Sequence, residues 1–174
     1  MKLIIKVNTV LEKIEETILI GAMAALSIIL IVNVISRKAG YGIFFLDEIA
    51  IILIIWVSFV GLSYAARKGE HICMAAIFDM SPLRVKKILI FIISAISAIV
   101  MFYLAYLSVK YVFRIYHFQE VTVAMRVPYW IVIIIAPFGF FLAGLHYIRT
   151  IIKNIKEQED VWMSPERKSE YDEI

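Results

Sequence analysis

Charge is scarce in this chain. Only 19% of its 174 residues are Asp, Glu, Lys or Arg, 62% are hydrophobic, and the mean hydropathy is +0.86. A soluble domain averages about 45–50% apolar residues, so the excess asks for lipid as a second apolar solvent. Cysteine is nearly absent: the lone Cys73 excludes an intramolecular disulfide and a multi-Cys zinc site. Three His residues make no His-rich metal site. The net charge of +3 is small and the basic residues are scattered, which argues against a nucleic-acid surface. There is no HExxH, no phosphate-binding loop, and no Ser, His and acid set at one membrane depth. The expectation is a protein without catalytic residues, metal or cofactor.

What is present is a set of four long apolar runs, near residues 18–35, 49–66, 88–109 and 128–148. A hydrocarbon layer about 30 Å thick takes ~20 helical residues, and every backbone amide inside it must bond internally, which selects helices. The predicted fold is all-α: an integral membrane bundle of four transmembrane helices, one domain over residues 1–152, with a charged tail over 153–174. Lys2, Lys6 and Lys13 before Ala22-Met23-Ala24 imitate a signal peptide. Glu12, Glu15 and Glu16 spoil the positive region, and the apolar run continues through Val34, so the segment reads as a retained anchor. Residues 3–18 are amphipathic, with Leu3, Val7, Leu11, Ile14 and Ile18 on one face. They read either as an extension of the first span or as a helix lying in the interface. Between spans two and three, Ile72 to Phe78 is too short to cross and is expected at the membrane surface, before a helix start at Ser81-Pro82. The tail contains Pro165 and many charges and is expected to be solvated and mobile.

The basic residues give the orientation. Lys2, Lys6 and Lys13 lie at the N-terminus; Arg67, Lys68, Arg84, Lys86 and Lys87 in the middle loop; Arg149, Lys153, Lys156, Arg167 and Lys168 at the C-terminal end. The opposite side has only Arg37, Lys38, Lys110, Arg114 and Arg126. The positive-inside rule therefore puts both termini in the cytoplasm.

In lipid, close approach decides which helix faces meet, and small residues four apart occur in every span: Gly21/Ala25, Gly61/Ala65, Ser94/Ala98 and Gly139/Ala143. Pro137 cannot donate to the carbonyl of Ile133, so a kink is expected in the fourth span. Trp56, near the middle of span two, reads as bulk between helices or as a contact with a partner subunit. Tyr129 and Trp130 read as interfacial anchors. The span interiors carry no ionisable group, although membrane pumps and enzymes usually need one. Asn33 is the most polar group of span one, and Asp47, Glu48 and Glu120 fall in the outer loops. His71 and His146 both fall near the cytoplasmic boundary, which makes a b-type cytochrome subunit conceivable. A standalone four-helix exporter of the small multidrug type is the stronger alternative, but it wants a carboxylate inside the membrane. Paired helix breaks, the usual mark of a substrate site, are absent too. An accessory or scaffold subunit remains.

From span two onward the residues resemble a known family. Trp56-Val57-Ser58-Phe59-Val60-Gly61 and Ala65-Ala66-Arg67-Lys68-Gly69-Glu70-His71-Ile72 resemble the small membrane subunit (DctQ type) of TRAP, tripartite ATP-independent periplasmic, transporters. Asp47-Glu48 is similar to the acidic pair that opens span two in that family. Thr122, Ala124, Pro128 and Trp130 match its Thr-x-Ala-x-x-x-Pro-x-Trp stretch, and Pro137, Gly139 and Phe140 its Pro-x-Gly-Phe. The likeness covers residues 8–152. It departs at Ala75, where the family often has Asp, with Asp79 one helical turn further on. The resemblance implies a non-enzymatic subunit of a sodium-coupled importer in a bacterial inner membrane, taking up organic acids such as C4-dicarboxylates or sialic acid. It implies two partners, a large membrane subunit and a periplasmic solute-binding protein. Glu48, Trp56, Gly61, Arg67, His71, Pro128, Pro137 and Gly139 are the candidates for the partner interface. Arg67, Lys68 and His71 either anchor by snorkelling or contact the partner.

Overall fold

The computed structural model describes residues 2–68, 83–156 and 162. They fold as α1 (Lys2–Lys38), α2 (Phe44–Lys68), α3 (Leu83–Phe118), α4 (Tyr129–Ile133) and α5 (Ile135–Lys156). Among the described residues there is no strand, only an isolated bridge between Val121 and Pro128. Four stretches are long and apolar enough to cross a membrane: Lys13–Lys38, Phe44–Lys68, Val85–Phe118 and Tyr129–Lys156. His71, Asp79, the surface segment at Ile72 to Phe78 and most of the tail lie outside the described residues.

The helices overrun the apolar runs that mark them. α1 is one continuous helix of 37 residues, so its amphipathic beginning extends the first span. α3 has 36 residues, a length of ~54 Å at 1.5 Å per residue, against a hydrocarbon layer of about 30 Å. It starts at Leu83, directly after Ser81-Pro82, and ends nine residues beyond the expected limit at Val109. Hydropathy marks where lipid ends; helix propensity carries the backbone further.

The fourth span is interrupted. α4 stops at Ile133 and α5 begins at Ile135. Pro137 has no N–H for the carbonyl of Ile133, which removes the bond that would have joined the two pieces. Ile134 stays right-handed (φ −57, ψ −22) and donates to Trp130 O, so the break lasts one residue.

The chain divides into two compact units. The first comprises Met1–Gly61 and Leu107–Phe138, the second Leu62–Tyr106 and Gly139–Ile174. In the first unit, Ile115, Val132, Ile133 and Ala136 form a core with Ile52, Ile55, Phe59, Val112, Tyr129 and Trp130 against it. In the second, Ala66, Ala98, Ala143 and Tyr147 are the centre, with Leu62, Met101 and Ile148 around them. Ala98 and Ala143 belong to two of the four small-residue pairs. Small side chains there let backbones approach, the favoured packing where lipid removes the hydrophobic drive between helices. Gly144 is a tighter case: a Cβ added to it would lie 3.1 Å from the Phe102 ring.

The other two pairs behave differently. A Cβ on Gly61 would meet only Leu19 Cδ2, at 3.8 Å, and one on Gly21 would meet nothing within 4 Å. The most apolar window of the first span is 6% buried, against 44% for the last.

Candidate functional site

Two adjacent carboxylates organise the end of the first unit where α2 begins. Asp47 lies in the first turn of α2, where the helix dipole favours an acid. On α1, Asn33 and Arg37 are four residues apart and therefore share a face. Asn33 Nδ2 donates to Asp47 Oδ1 at 2.6 Å, and Arg37 Nη2 donates to Oδ2 at 2.6 Å. The second contact is also an ion pair between half-exposed side chains.

Glu48, one position on, is rotated about 100° around the helix and turns to a different element. Its two oxygens accept from the backbone N–H groups of Ala124 and Met125, the latter at 2.7 Å. Successive amides aimed at one carboxylate form an anion-binding concavity. The loop that offers them is a small hairpin between α3 and α4. Thr122 N donates to Val127 O at 2.9 Å, Val127 N returns to Thr122 Oγ1 at 3.0 Å, and Tyr129 N donates to Glu120 O at 2.9 Å. Gln119 and Arg126 take left-handed backbone (φ 51 and 52) to close it.

The Thr-x-Ala-x-x-x-Pro-x-Trp stretch thereby acquires a physical meaning. Thr122 closes the hairpin, Ala124 presents an amide to Glu48, and Pro128 stands at the start of α4 with φ −58. Trp130 packs edge-to-face on Tyr116 of α3, ring centres 5.8 Å apart, so it serves the core as well as any interface. Glu48, Ile51, Ile52, Glu120, Val121, Thr122, Val123 and Tyr129 line a cavity of about 290 Å³ beside this tether. With Glu48 held by amides, the arrangement fastens three elements together; it brings no nucleophile and base into contact.

A second polar cluster lies in the second unit. His146, Thr150 and Asn154 follow one another at four-residue intervals down α5, all buried. Thr150 Oγ1 donates to His146 O at 3.1 Å and Asn154 Nδ2 to Thr150 O at 3.0 Å. Asn154 also clasps Trp162 from both sides, donating to its O at 2.6 Å and accepting from its N at 2.9 Å. Lys153 Nζ sits 3.1 Å from the centre of the Trp162 ring, a cation–π contact. Of the tail expected to be mobile, residues 153–156 belong to helix α5 and Trp162 is held by Asn154; residues 157–161 and 163–174 lie outside the described residues.

Arg67 also departs from expectation. Its residue is 1% exposed, and Nη2 lies 3.5 Å from His146 Nε2. A buried guanidinium neither snorkels to water nor reaches a partner subunit; its own chain has enclosed it. His146, 2% exposed, turns one ring nitrogen to that cation.

The remaining interface candidates separate by exposure. Trp56 is 38% exposed, so it is not the enclosed filler between helices that one reading expected. Gly139 is buried, Gly61 is in ordinary contact with Leu19, and Pro128 and Pro137 shape α4 and α5 as described. Sequence reasoning passed over Asn33 and Arg37 as a pair, and over Thr150, Asn154 and Trp162. The signal was there as polar residues spaced by four on a single helix face.

The tether falls on the motif positions that carried the family resemblance, and comparison with known proteins supports that resemblance. Residues 26–157 match the family of tripartite ATP-independent periplasmic transporters, DctQ component. The chain is 38% identical over 159 residues to the ectoine TRAP transporter small permease protein TeaB of Halomonas elongata, covering 91% of this chain and 82% of that one. It is 22% identical over 110 residues to the C4-dicarboxylate TRAP transporter small permease protein DctQ of Rhodobacter capsulatus, covering 63% of this chain and 48% of the other. Four membrane-spanning helices, Glu48 tied to the Thr-x-Ala hairpin, and a match over three-quarters of its length make this chain a member of the DctQ family, the small inner-membrane permease component that works with a large membrane subunit and a periplasmic binding protein.

Proposed function

We propose that this permease component is a static scaffold against which the large transport subunit works, in a sodium-coupled importer of small organic solutes, with both termini in the cytoplasm. The observation that carries the reading is the open surface of α1. Ile20, Met23, Ile28, Ile31 and Ile35 are exposed, and Gly21 has nothing within 4 Å of its Cβ position. Such a face is completed by lipid or by another helix, and a widening subunit needs that surface. Trp56 extends the candidate interface onto α2; His71, outside the described residues, is a candidate by its place in the sequence alone. Arg67, Gly61, Gly139, Pro128, Pro137 and Glu48 contribute by holding the shape that the partner meets.

The identity figures favour an ectoine-type solute ahead of a C4-dicarboxylate, with sialic acid behind both. Selection among them belongs to the binding protein and the large subunit, since the apolar runs of this chain offer no charged group to read a solute.

Reconstitution into liposomes tests the proposal. The expected results are no flux with this chain alone, co-purification with the large subunit, and sodium-dependent uptake once the soluble binding protein is added. Glu15, in α1, is 7% exposed, the one buried carboxylate among the described residues; it stands just before the apolar run that begins near residue 18, so it is the group an exporter would have to use. Proton- or sodium-driven flux from this chain alone, abolished by Glu15→Gln, would establish the exporter and end the scaffold reading.

A further inference from the structure

The C-terminal end of α3 carries a feature that the tether does not use. Leu107, Lys110, Tyr111, Phe113, Arg114, His117 and Phe118 line a groove of about 570 Å³. Every lining residue belongs to this one helix, so the opposite wall of the groove is open. Lys110, Arg114 and His117 fall at intervals of four and three, on one helical face. Aromatic rings stand between them, and no carboxylate is in the lining.

Depth along the helix identifies the occupant. The charge-free run 88–109 spans ~33 Å at 1.5 Å per residue, about the thickness of the hydrocarbon layer. Lys110 therefore sits at the boundary, and Arg114 lies ~6 Å further along the axis. The headgroup layer on each side is ~5–8 Å deep, so both cations lie at the level of lipid phosphates. Tyr111 and Phe113 are exposed at the same level, where aromatic rings anchor in bilayers. Leu107, one turn inward, continues the groove along the acyl region.

We propose that this face is a binding site for one anionic phospholipid in the leaflet that meets the C-terminal end of α3. Lys110 and Arg114 hold its phosphate, and an acyl chain lies along Leu107. The cations supply the charge that the headgroup lacks, and the lipid supplies the wall that the groove lacks.

Native mass spectrometry of the full-length chain tests this with phosphatidylglycerol and phosphatidylethanolamine. The expected result is retention of one phosphatidylglycerol in preference to phosphatidylethanolamine. Lys110→Gln/Arg114→Gln should weaken that binding about 30-fold, on the usual contribution of a basic side chain near lipid phosphate. Lys13→Gln/Lys38→Gln removes the same charge from exposed positions elsewhere and should leave it unchanged. Because the first double variant could fail to fold, the unaltered chain gives a second reading: its phosphatidylglycerol should be lost as salt is raised. Equal loss in both double variants, no preference for the anionic lipid, or salt-independent retention would each overturn the site. So would a Lys110→Gln/Arg114→Gln chain that keeps its lipid but no longer joins the soluble binding protein, which would make the face a protein interface.

Discussion

Asp47 and Glu48 are neighbours of the same chemistry, yet each serves a different element: Asp47 accepts from α1, and Glu48 from the hairpin before α4. Glu48→Gln leaves the shape but removes the charge that strengthens both amide bonds. The expected outcome is faster hydrogen exchange at the amides of Ala124 and Met125 and a lower melting temperature in detergent. Glu120→Gln, in the same cavity lining, should change neither. Gly144→Ala places a methyl 3.1 Å from the Phe102 ring, which must give by a few tenths of an ångström; set against the ~1 kcal/mol that Ala gains over Gly in a helix, the net loss should be no more than about 2 kcal/mol. Gly21→Ala meets open space, so the isolated chain should hold or gain stability, and a loss confined to assembly with the large subunit would locate the interface on α1. Arg67→Lys, which would be silent if the side chain snorkelled, should destabilise the isolated chain by about 1–3 kcal/mol, because a buried site loses donors in a fixed plane. Chemical denaturation of the chain without its partners distinguishes the two.

At the scale of elements, apolar runs located all four spans and Pro137 located the break between α4 and α5. Their ends were not legible, because hydropathy responds to lipid while helix formation continues through Lys110 to His117 and through the charged start of α1. The hairpin was hidden for a different reason. Its stability rests on left-handed backbone at Gln119 and Arg126, residues that do not advertise such a turn as Gly would. Trp162 was read as part of a featureless tail, since charge count says nothing about a side chain like Asn154 waiting eight residues upstream. Asn154→Ala removes both bonds to Trp162. At about 1 kcal/mol net for each bond, tryptic cleavage after Lys156 should speed up by roughly tenfold or more.

For the whole molecule, the division of basic residues gives a topology that reporter fusions can check. Fusions after Lys153 should report cytoplasm, and insertions between His117 and Arg126 should report the opposite side; a periplasmic signal from the C-terminal fusion would reverse the orientation. The partner surface was the least legible part of the site. Exposed apolar faces look alike in sequence whether lipid or protein covers them, and two of the residues singled out for that role, Arg67 and Gly139, are enclosed by their own chain. The tether also sets a timetable for the chain as it leaves the ribosome. Asp47 finds Asn33 and Arg37 already made, 14 and 10 residues earlier, whereas Glu48 waits for amides 76 and 77 residues later. At ~5–20 residues per second, that wait is on the order of 4–15 s. A nascent chain halted near residue 110 will hold the first clasp and lack the second, so the first hairpin of helices matures before its lid is synthesised.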